Sequence, residues 1–206
     1  MHSKVQRHFK KADQKLFKVL QKIGKLEEIK PIRSEEYFFR LCRGIIGQQL
    51  SGKVADTFVQ RFLKLFSQKL GIAVVTPGRL LKLPKEKLRG IGISWSKVEY
   101  LKNLAQKVEK KEVVLEHLQT LPNEEVTAEL IKVKGIGNWT AEMFLMFSLG
   151  RQDVFSHGDL GLKKAIEKIY NLKNPAKSTV EKLSQKWAPY RTWACRILWK
   201  SYDNKE

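Results

Sequence analysis

Residues 130–170 read LIKVKGIGNWTAEMFLMFSLGRQDVFSHGDLGLKKAIEKIY, and this stretch decides the fold. Its pattern predicts a helix, a tight turn at residues 134–137, and a second helix that begins near Asn138. Gly135 and Gly137 permit positive φ angles in the turn and have no Cβ to obstruct a ligand. Because the second helix presents N–H groups at its positive end, the turn is a predicted anion-binding site.

Basic residues are spread along the whole chain. Lys and Arg number 40 against 21 Asp and Glu, which gives a net charge of +19 at pH 7. A broad basic surface is typical of proteins that bind polyanions, so the expected anion is a nucleic-acid phosphate. The apolar fraction is 42% of 206 residues, which is sufficient for a globular protein with a buried core.

Cys42 and Cys195 are the only cysteines, and they stand far apart without a CxxC spacing. This spacing excludes a zinc site or a four-cysteine iron–sulfur cluster built from thiols, and it fits a reducing intracellular compartment. The first residues lack the apolar core of a signal peptide, and no apolar run is long enough to cross a bilayer. We therefore expect an intracellular protein of the cytoplasm or nucleoid, or of the nucleus in a eukaryote, with no membrane partner.

Apolar periodicity predicts helices elsewhere in the chain and no strands. The helix after the glycine turn, residues 139–149, is apolar almost all round, so we expect it to be buried. The other predicted helices are residues 10–23, a helix from a Ser34 N-cap to Ile46, residues 52–66 with Val54, Phe58, Phe62 and Leu65 buried, a short helix opened by Thr76 and Pro77, residues 94–110, a hairpin helix from Pro122, and residues 160–170, 178–186 and 190–202.

Three segments together resemble the helix-hairpin-helix (HhH-GPD) superfamily of DNA glycosylases, and within it the 3-methyladenine DNA glycosylase II type, which excises alkylated bases. They are residues 135–141 (GIGNWTA), 153–155 (DVF) and 159–162 (DLGL). The resemblance implies an all-α, two-lobed fold with the hairpin at the cleft between the lobes, without the N-terminal sheet domain of larger relatives. It implies one glycosylase domain over residues 1–206. On this resemblance, residues 34–121 are expected to form one lobe, residues 122–170 to carry the hairpin and the catalytic aspartate, and residues 10–24 and 178–202 to complete the other lobe.

Asp159 is the predicted catalytic residue. A fixed carboxylate can stabilise the positive charge that develops on the sugar, or orient a water molecule, as an N-glycosidic bond breaks. An aspartate before a helix is also a common N-cap, and the two roles can coexist. Bifunctional relatives carry a nucleophilic lysine two residues after the second hairpin glycine, where this chain has Trp139. The resemblance therefore implies base removal without strand cleavage.

The resemblance also implies the residues that hold the DNA. A side chain of Gln49 or Leu50 is expected to fill the space left by a flipped nucleotide. A pocket that stacks on a cationic alkylated purine would be lined by Trp139, Trp199, Met143 and Trp193. Phosphate contacts are expected from Lys134, Gly135, Gly137, Thr140 and Lys97, and a structural Na⁺ or K⁺ from the carbonyls of Ile131, Val133 and Ile136.

No other cofactor is expected, and the predicted partner is double-stranded DNA with a damaged base, bound by a monomer. Ser156 replaces a proline that is common in the family, and His157 is unusual there. Three other interpretations stay open: a glycosylase for an oxidised or deaminated base, a non-catalytic helix-hairpin-helix protein that binds DNA, and an RNA-binding helical module. The last lacks the aromatic sheet motifs of common RNA-binding domains.

Overall fold

The computed structural model describes residues 2–66 and 74–203. This part of the chain is helical and contains no strand, so the all-α prediction is confirmed. The helices are α1 (His2–Ala12), α2 (Gln14–Ile23), α3 (Tyr37–Gly47), α4 (Gly52–Lys64), α5 (Pro77–Lys82), α6 (Lys85–Gly90), α7 (Trp95–Glu109), α8 (Asn123–Leu130), α9 (Asn138–Phe147), α10 (Leu160–Tyr170), α11 (Lys177–Gln185) and α12 (Arg191–Asp203), with a 3₁₀ turn at Ser34–Glu36.

The chain divides into two compact units. The hairpin unit is Ile32–Phe144, in which α7 packs against α3, α5 and α6. Its core includes Leu41, Ile45, Phe62, Leu101 and Leu104, all nearly inaccessible to solvent. The second unit, here called the aspartate unit, consists of the residues up to Pro31 and those from Leu145 onward. In it, α12 packs against α2 and α10.

Asp13 joins three segments of the aspartate unit. It is the N-cap of α2, where its Oδ1 accepts a hydrogen bond from the Leu16 N–H at 3.0 Å. Its Oδ2 accepts hydrogen bonds from the Tyr170 hydroxyl and from the Trp187 indole N–H. Burial and the bond to Asp13 raise the pKa of Tyr170 far above its usual value. The C-terminal end of α10 is thereby fixed to the beginning of α2.

Several predicted helix limits and faces were wrong. The predicted helix 10–23 is interrupted at Asp13, because this residue caps α2 and separates it from α1. Ser34 is not an N-cap but the first residue of the 3₁₀ turn. In the helix predicted at residues 52–66, α4 buries Val59 and Phe62, whereas Val54 is exposed and Phe58 and Leu65 are only partly buried.

The second hairpin helix, α9, is also not buried all round, since Trp139 and Phe147 are 44% and 40% exposed. The Thr76 cap is confirmed, because its side chain accepts a hydrogen bond from the Arg79 N–H, with Pro77 in the first turn. Within the described residues, no helix is long and apolar enough to cross a membrane.

Candidate functional site

The two hairpin glycines have different structural roles. Gly135 has φ of 88°, and a Cβ added there would lie 2.1 Å from Cδ2 of Tyr100 on α7. Gly137 lies outside the positive-φ region, and a Cβ added there would meet no described atom within 4 Å. The predicted positive φ is therefore correct for Gly135 only. Gly135 lets the turn pack on Tyr100, whereas Gly137 leaves the approach to the turn open.

Hydrogen bonds fix the backbone of this hairpin turn, residues 134–137. The Lys134 N–H donates to Oδ1 of Asn103 at 2.8 Å, and the Ile136 N–H donates to the Val133 carbonyl at 3.0 Å. The side chain of Lys134 is exposed. Since α9 begins at Asn138, the positive end of this helix lies at the hairpin turn, where an anion is favourable.

A second turn, residues 48–51 between α3 and α4, lies against this hairpin within the same unit. The Gln48 Nε2 donates to the Gly135 carbonyl at 2.8 Å and to Oγ1 of Thr140 at 3.2 Å. Thr140 is buried, and its hydroxyl oxygen accepts the hydrogen bond from Gln48. The phosphate contact expected from Thr140 stays a prediction. We call residues 48–51 the wedge turn.

Lys97, on α7, also binds the wedge turn. Its Nζ donates to the carbonyls of Ile46 and Gln48, each at 2.8 Å. Partial burial lowers the pKa of Lys97 from its usual value. These two bonds direct the ammonium group to backbone carbonyls of its own chain. The phosphate contact expected from Lys97 stays a prediction.

Gln49 and Leu50 differ in backbone and exposure. Gln49 is exposed and has φ of 59°, a left-handed conformation that is uncommon for residues other than glycine. Leu50 is partly buried, and its N–H donates to the Gly47 carbonyl at 3.1 Å. The wedge turn therefore presents Gln49 to solvent more fully than Leu50.

In the aspartate unit, Asp159 is the N-cap of α10. Its Oδ1 accepts hydrogen bonds from the Leu162 N–H at 2.9 Å and from the Trp199 indole N–H at 3.0 Å. A Cβ added at Gly161 would lie 3.1 Å from the same Oδ1 and 3.4 Å from Cδ1 of Trp199. The carboxylate is thus held in one orientation by a backbone donor, an indole donor and a close glycine. The positive end of α10 stabilises its negative charge.

The loop before Asp159 is fixed to the start of α12. Asp153 and Arg191 form a bidentate ion pair, with Nε to Oδ1 at 2.7 Å and Nη2 to Oδ2 at 2.9 Å. The Thr192 hydroxyl donates to the Arg151 carbonyl at 2.6 Å and accepts from the Val154 N–H at 3.1 Å. These bonds hold the loop on both sides of Asp153, so the loop is ordered as it approaches Asp159.

A cavity of about 210 Å³ adjoins Asp159 within the aspartate unit. Ser156, which replaces the expected proline, is buried, and the His157 ring packs edge-on to Phe155 with centroids 4.8 Å apart. Desolvation lowers the pKa of His157, and the nearby Glu181 partly offsets that effect. The cavity is lined by Phe155, Ser156, His157, Asp159, Leu162, Lys163, Ile166, Pro175, Lys177 and Val180.

The sequence also matches a known family across the segments that carry these sites. Residues 42–190 match the family model described as HhH-GPD superfamily base excision DNA repair protein. The chain belongs to this superfamily. The matched residues include the wedge turn, the hairpin turn and Asp159, so all three features lie within the segment that is typical of the family.

Relatives of this superfamily resemble the chain over most of its length. DNA-3-methyladenine glycosylase 1 of Schizosaccharomyces pombe is 31% identical over 97% of this chain and 87% of that protein. YfjP of Bacillus subtilis is 35% identical over 79% of this chain, which spans 58% of that protein. The structure of S. pombe 3-methyladenine DNA glycosylase (Mag1) in complex with abasic DNA superposes with a TM-score of 0.84 at 30% identity, and covers 98% of both chains.

The tryptophans predicted to line the base pocket of this HhH-GPD protein differ in exposure. Trp139 is 44% exposed in the hairpin unit, with Met143 partly buried on the same helix. Trp199 is partly buried beside Asp159 in the aspartate unit. Trp193 is only 1% exposed, and its indole N–H donates to Gln152. Its ring is therefore part of the interior, and its expected place in the base pocket stays a prediction.

Sequence patterns did not reveal the residues that support these two sites. Tyr100 packs on Gly135, Gln48 binds the hairpin turn, and Arg191 and Thr192 hold the loop before Asp159. The partners in these contacts lie 35 or more residues apart in the sequence. Helical periodicity relates residues three or four positions apart, so it carries no signal for such pairs.

Proposed function

We propose that this protein is a monofunctional DNA glycosylase that removes alkylated purines of the 3-methyladenine and 7-methylguanine type from double-stranded DNA, and so initiates base excision repair. The observation that carries this proposal is the fixed Asp159 carboxylate, held by Leu162 and Trp199 at the start of α10. Membership of the HhH-GPD superfamily supports it, as does the similarity to proteins named 3-methyladenine DNA glycosylases.

Asp159 has a defined part in the proposed reaction. When the N-glycosidic bond breaks, its electron pair leaves with the base and positive charge develops on the sugar. Asp159 stabilises that charge and orients a water molecule, whose oxygen bonds to the sugar while its proton is released. Because Trp199 and Leu162 already hold the carboxylate, little reorganisation is needed at the transition state.

The reaction ends at an abasic site. Trp139 occupies the position at which bifunctional relatives carry a lysine, and an indole N–H is not a nucleophile. The sugar is therefore captured by water, and the strand stays intact. A strand break would appear only after alkali treatment of the product.

Stacking selects the substrate. Alkylation at a ring nitrogen makes a purine cationic, and the electron-rich faces of Trp139 and Trp199 attract such a ring. Met143, on the same helix as Trp139, adds a polarisable side chain. A neutral oxidised or deaminated base lacks this attraction, which favours an alkylated purine over the other lesions.

The hairpin unit holds the DNA. The amides of Gly135 and Gly137 and the side chain of Lys134 bind a backbone phosphate beside the lesion. Gln49 fills the vacated stack, and its exposure and left-handed backbone favour it over Leu50. Gln49→Ala should then weaken binding to an abasic duplex more than Leu50→Ala does, as measured by fluorescence anisotropy. The opposite order would assign the wedge to Leu50.

The carbonyls of Ile131, Val133 and Ile136 are proposed to hold a monovalent cation. The Val133 carbonyl accepts one hydrogen bond from Ile136, and its second lone pair is compatible with such an ion. A bound cation would add positive charge to the phosphate site. Duplex affinity at constant ionic strength should be higher in KCl than in a large organic chloride, and equal affinities would contradict the site.

We further propose that the protein acts as a monomer in a reducing intracellular compartment. Both cysteines are buried as free thiols, and burial raises the pKa of Cys42 well above its usual value, which keeps this thiol unreactive. One carboxylate suffices for the chemistry. Sedimentation of the free protein and of its duplex complex would test the oligomeric state.

Release of methylated bases tests the function. Duplex DNA treated with a methylating agent is incubated with the protein, and the released bases are separated by chromatography. We expect free 3-methyladenine and 7-methylguanine, with strand breaks only after alkali. Release from a duplex with an oxidised or deaminated base instead would assign another lesion. Tight duplex binding without release of any base would identify a non-catalytic DNA-binding protein.

A further inference from the structure

Three segments of the hairpin unit meet at Gln48. Its backbone carbonyl accepts a hydrogen bond from Lys97 on α7, and its side chain donates to Gly135 and Thr140 of the hairpin. We propose that Lys97 and Gln48 are positioning residues that fix the wedge turn relative to the hairpin turn. This inference rests on the proposed function and deepens it, because it assigns how the wedge and the phosphate site act together.

The two hydrogen bonds of Lys97 fix the wedge turn to the end of α3. Ile46 lies in the last turn of α3, at the negative end of that helix, where an ammonium group is favourable. The second bond reaches past the helix end to Gln48. One cation therefore binds both the helix and the turn that follows it. Charge-assisted hydrogen bonds of this kind are stronger than neutral ones.

The side-chain hydrogen bonds of Gln48 connect the wedge turn to the hairpin. The amide reaches the Gly135 carbonyl, two residues before Gly137, and the buried hydroxyl of Thr140 in the first turn of α9. Gln49, the next residue, has a left-handed backbone. This conformation costs free energy and persists only where surrounding contacts hold it. The bonds of Gln48, from Lys97 to its carbonyl and from its side chain to the Gly135 carbonyl, supply that restraint.

The functional consequence is coupling between two DNA contacts. A phosphate bound at the hairpin turn sets the position of the DNA backbone beside the lesion. The wedge can enter the vacated stack only if its turn stands at a fixed distance from that phosphate. Breaking either connection should therefore reduce the preference for an abasic duplex over an intact duplex, because only the abasic duplex has a gap to fill.

The test compares affinities for these two duplexes over a range of salt concentrations. The variants are Lys97→Met and Gln48→Met, each of which keeps a long side chain and removes the donor. Lys110→Met is the matched control, since Lys110 is an exposed lysine that follows the last residue of the same helix. The abasic duplex carries a stable tetrahydrofuran analogue, and binding is followed by fluorescence anisotropy.

We expect the ratio of abasic to intact affinity to fall about tenfold in Lys97→Met and in Gln48→Met, as the loss of one or two such bonds predicts. The double variant should lose little more than either single variant, because both act through one connection. The slope of log affinity against log salt should stay at the wild-type value in Gln48→Met. In Lys97→Met it should change no more than in Lys110→Met, which also removes one lysine charge.

Two results would overturn the inference. A loss of about 0.9 in the salt slope for Lys97→Met alone would show a direct phosphate contact. A lower melting temperature with an unchanged affinity ratio would show a role in stability only. Base release by wild-type protein is measured separately. If wild-type protein releases the base but the variants keep the wild-type ratio of abasic to intact affinity, only this inference is contradicted. If the variants lower that ratio but wild-type protein releases no base, only the proposed function is contradicted.

Discussion

Gly135→Ala should destabilise the hairpin unit strongly. The residue has φ of 88°, and positive φ costs an alanine about 1 to 2 kcal/mol. The added Cβ would lie 2.1 Å from the Tyr100 ring, and relief of such an overlap costs about 1 to 3 kcal/mol. The free energy of unfolding should therefore fall by about 2 to 5 kcal/mol, a large part of the roughly 5 to 15 kcal/mol typical of a domain.

Urea unfolding followed by tryptophan fluorescence measures this loss. Gly137→Ala is the control, because its φ is not positive and its Cβ would meet no described atom within 4 Å. We expect this variant to lose about 1 kcal/mol or less, the usual scale for a change at a helix start. It should nevertheless bind duplex DNA more weakly, because the methyl group stands where a phosphate must approach.

A double variant separates the two causes in Gly135→Ala. Adding Tyr100→Ala removes the ring overlap but leaves the cost of positive φ. In the Tyr100→Ala background, Gly135→Ala should therefore lower the free energy of unfolding by less than it does in the wild type. The two changes would then show a favourable coupling energy. A Gly135→Ala protein with the wild-type urea midpoint, or two strictly additive changes, would refute the proposed packing between the turn and α7.

Three other changes have defined outcomes. Asp13→Ala removes an N-cap and leaves the Tyr170 hydroxyl without its partner, so the free energy of unfolding should fall by about 3 kcal/mol in urea titration. Gly161→Ala crowds Asp159 Oδ1 at 3.1 Å, so single-turnover base release should slow by about tenfold to a hundredfold with little change in stability. The pKa of His157 in the folded protein lies below its usual value of 6.5, so the unfolded state binds more protons at pH values between the two. The free energy of unfolding should therefore rise with pH up to about 6.5. In urea titrations, His157→Gln should flatten this rise.

Local sequence signals predicted the elements that depend on local chemistry. The Thr76 cap with Pro77, and the start of α10 at Asp159, follow from side chains that bond to the backbone of their own helix. Asp13 carries the same kind of signal, yet the apolar stripe of residues 10–23 concealed it. An apolar pattern can continue across a cap, since α1 buries Val5 and Phe9 and α2 buries Leu16 and Leu20.

Contacts between distant segments could not be predicted in this way. Lys97 reads as an exposed lysine near a helix start, and only the fold brings it within 2.8 Å of a carbonyl 51 residues away. Trp193 reads as a candidate pocket residue, but packing of α12 places it in the interior. Val54 is apolar, yet the rotation of α4 exposes it. In each case the three-dimensional neighbours decide the role of the side chain.

The most direct test of the central claim compares wild-type protein with Asp159→Asn in single-turnover release of methylated purines, with duplex affinity measured on the same samples. The amide keeps the shape of the side chain and an oxygen that can accept from Leu162 and Trp199, but it removes the charge. We predict that release falls by at least about a thousandfold, the scale of losing a main electrostatic contribution, while affinity for the duplex stays near that of wild type. Release by Asp159→Asn at the wild-type rate would contradict the assignment of Asp159 as the catalytic residue.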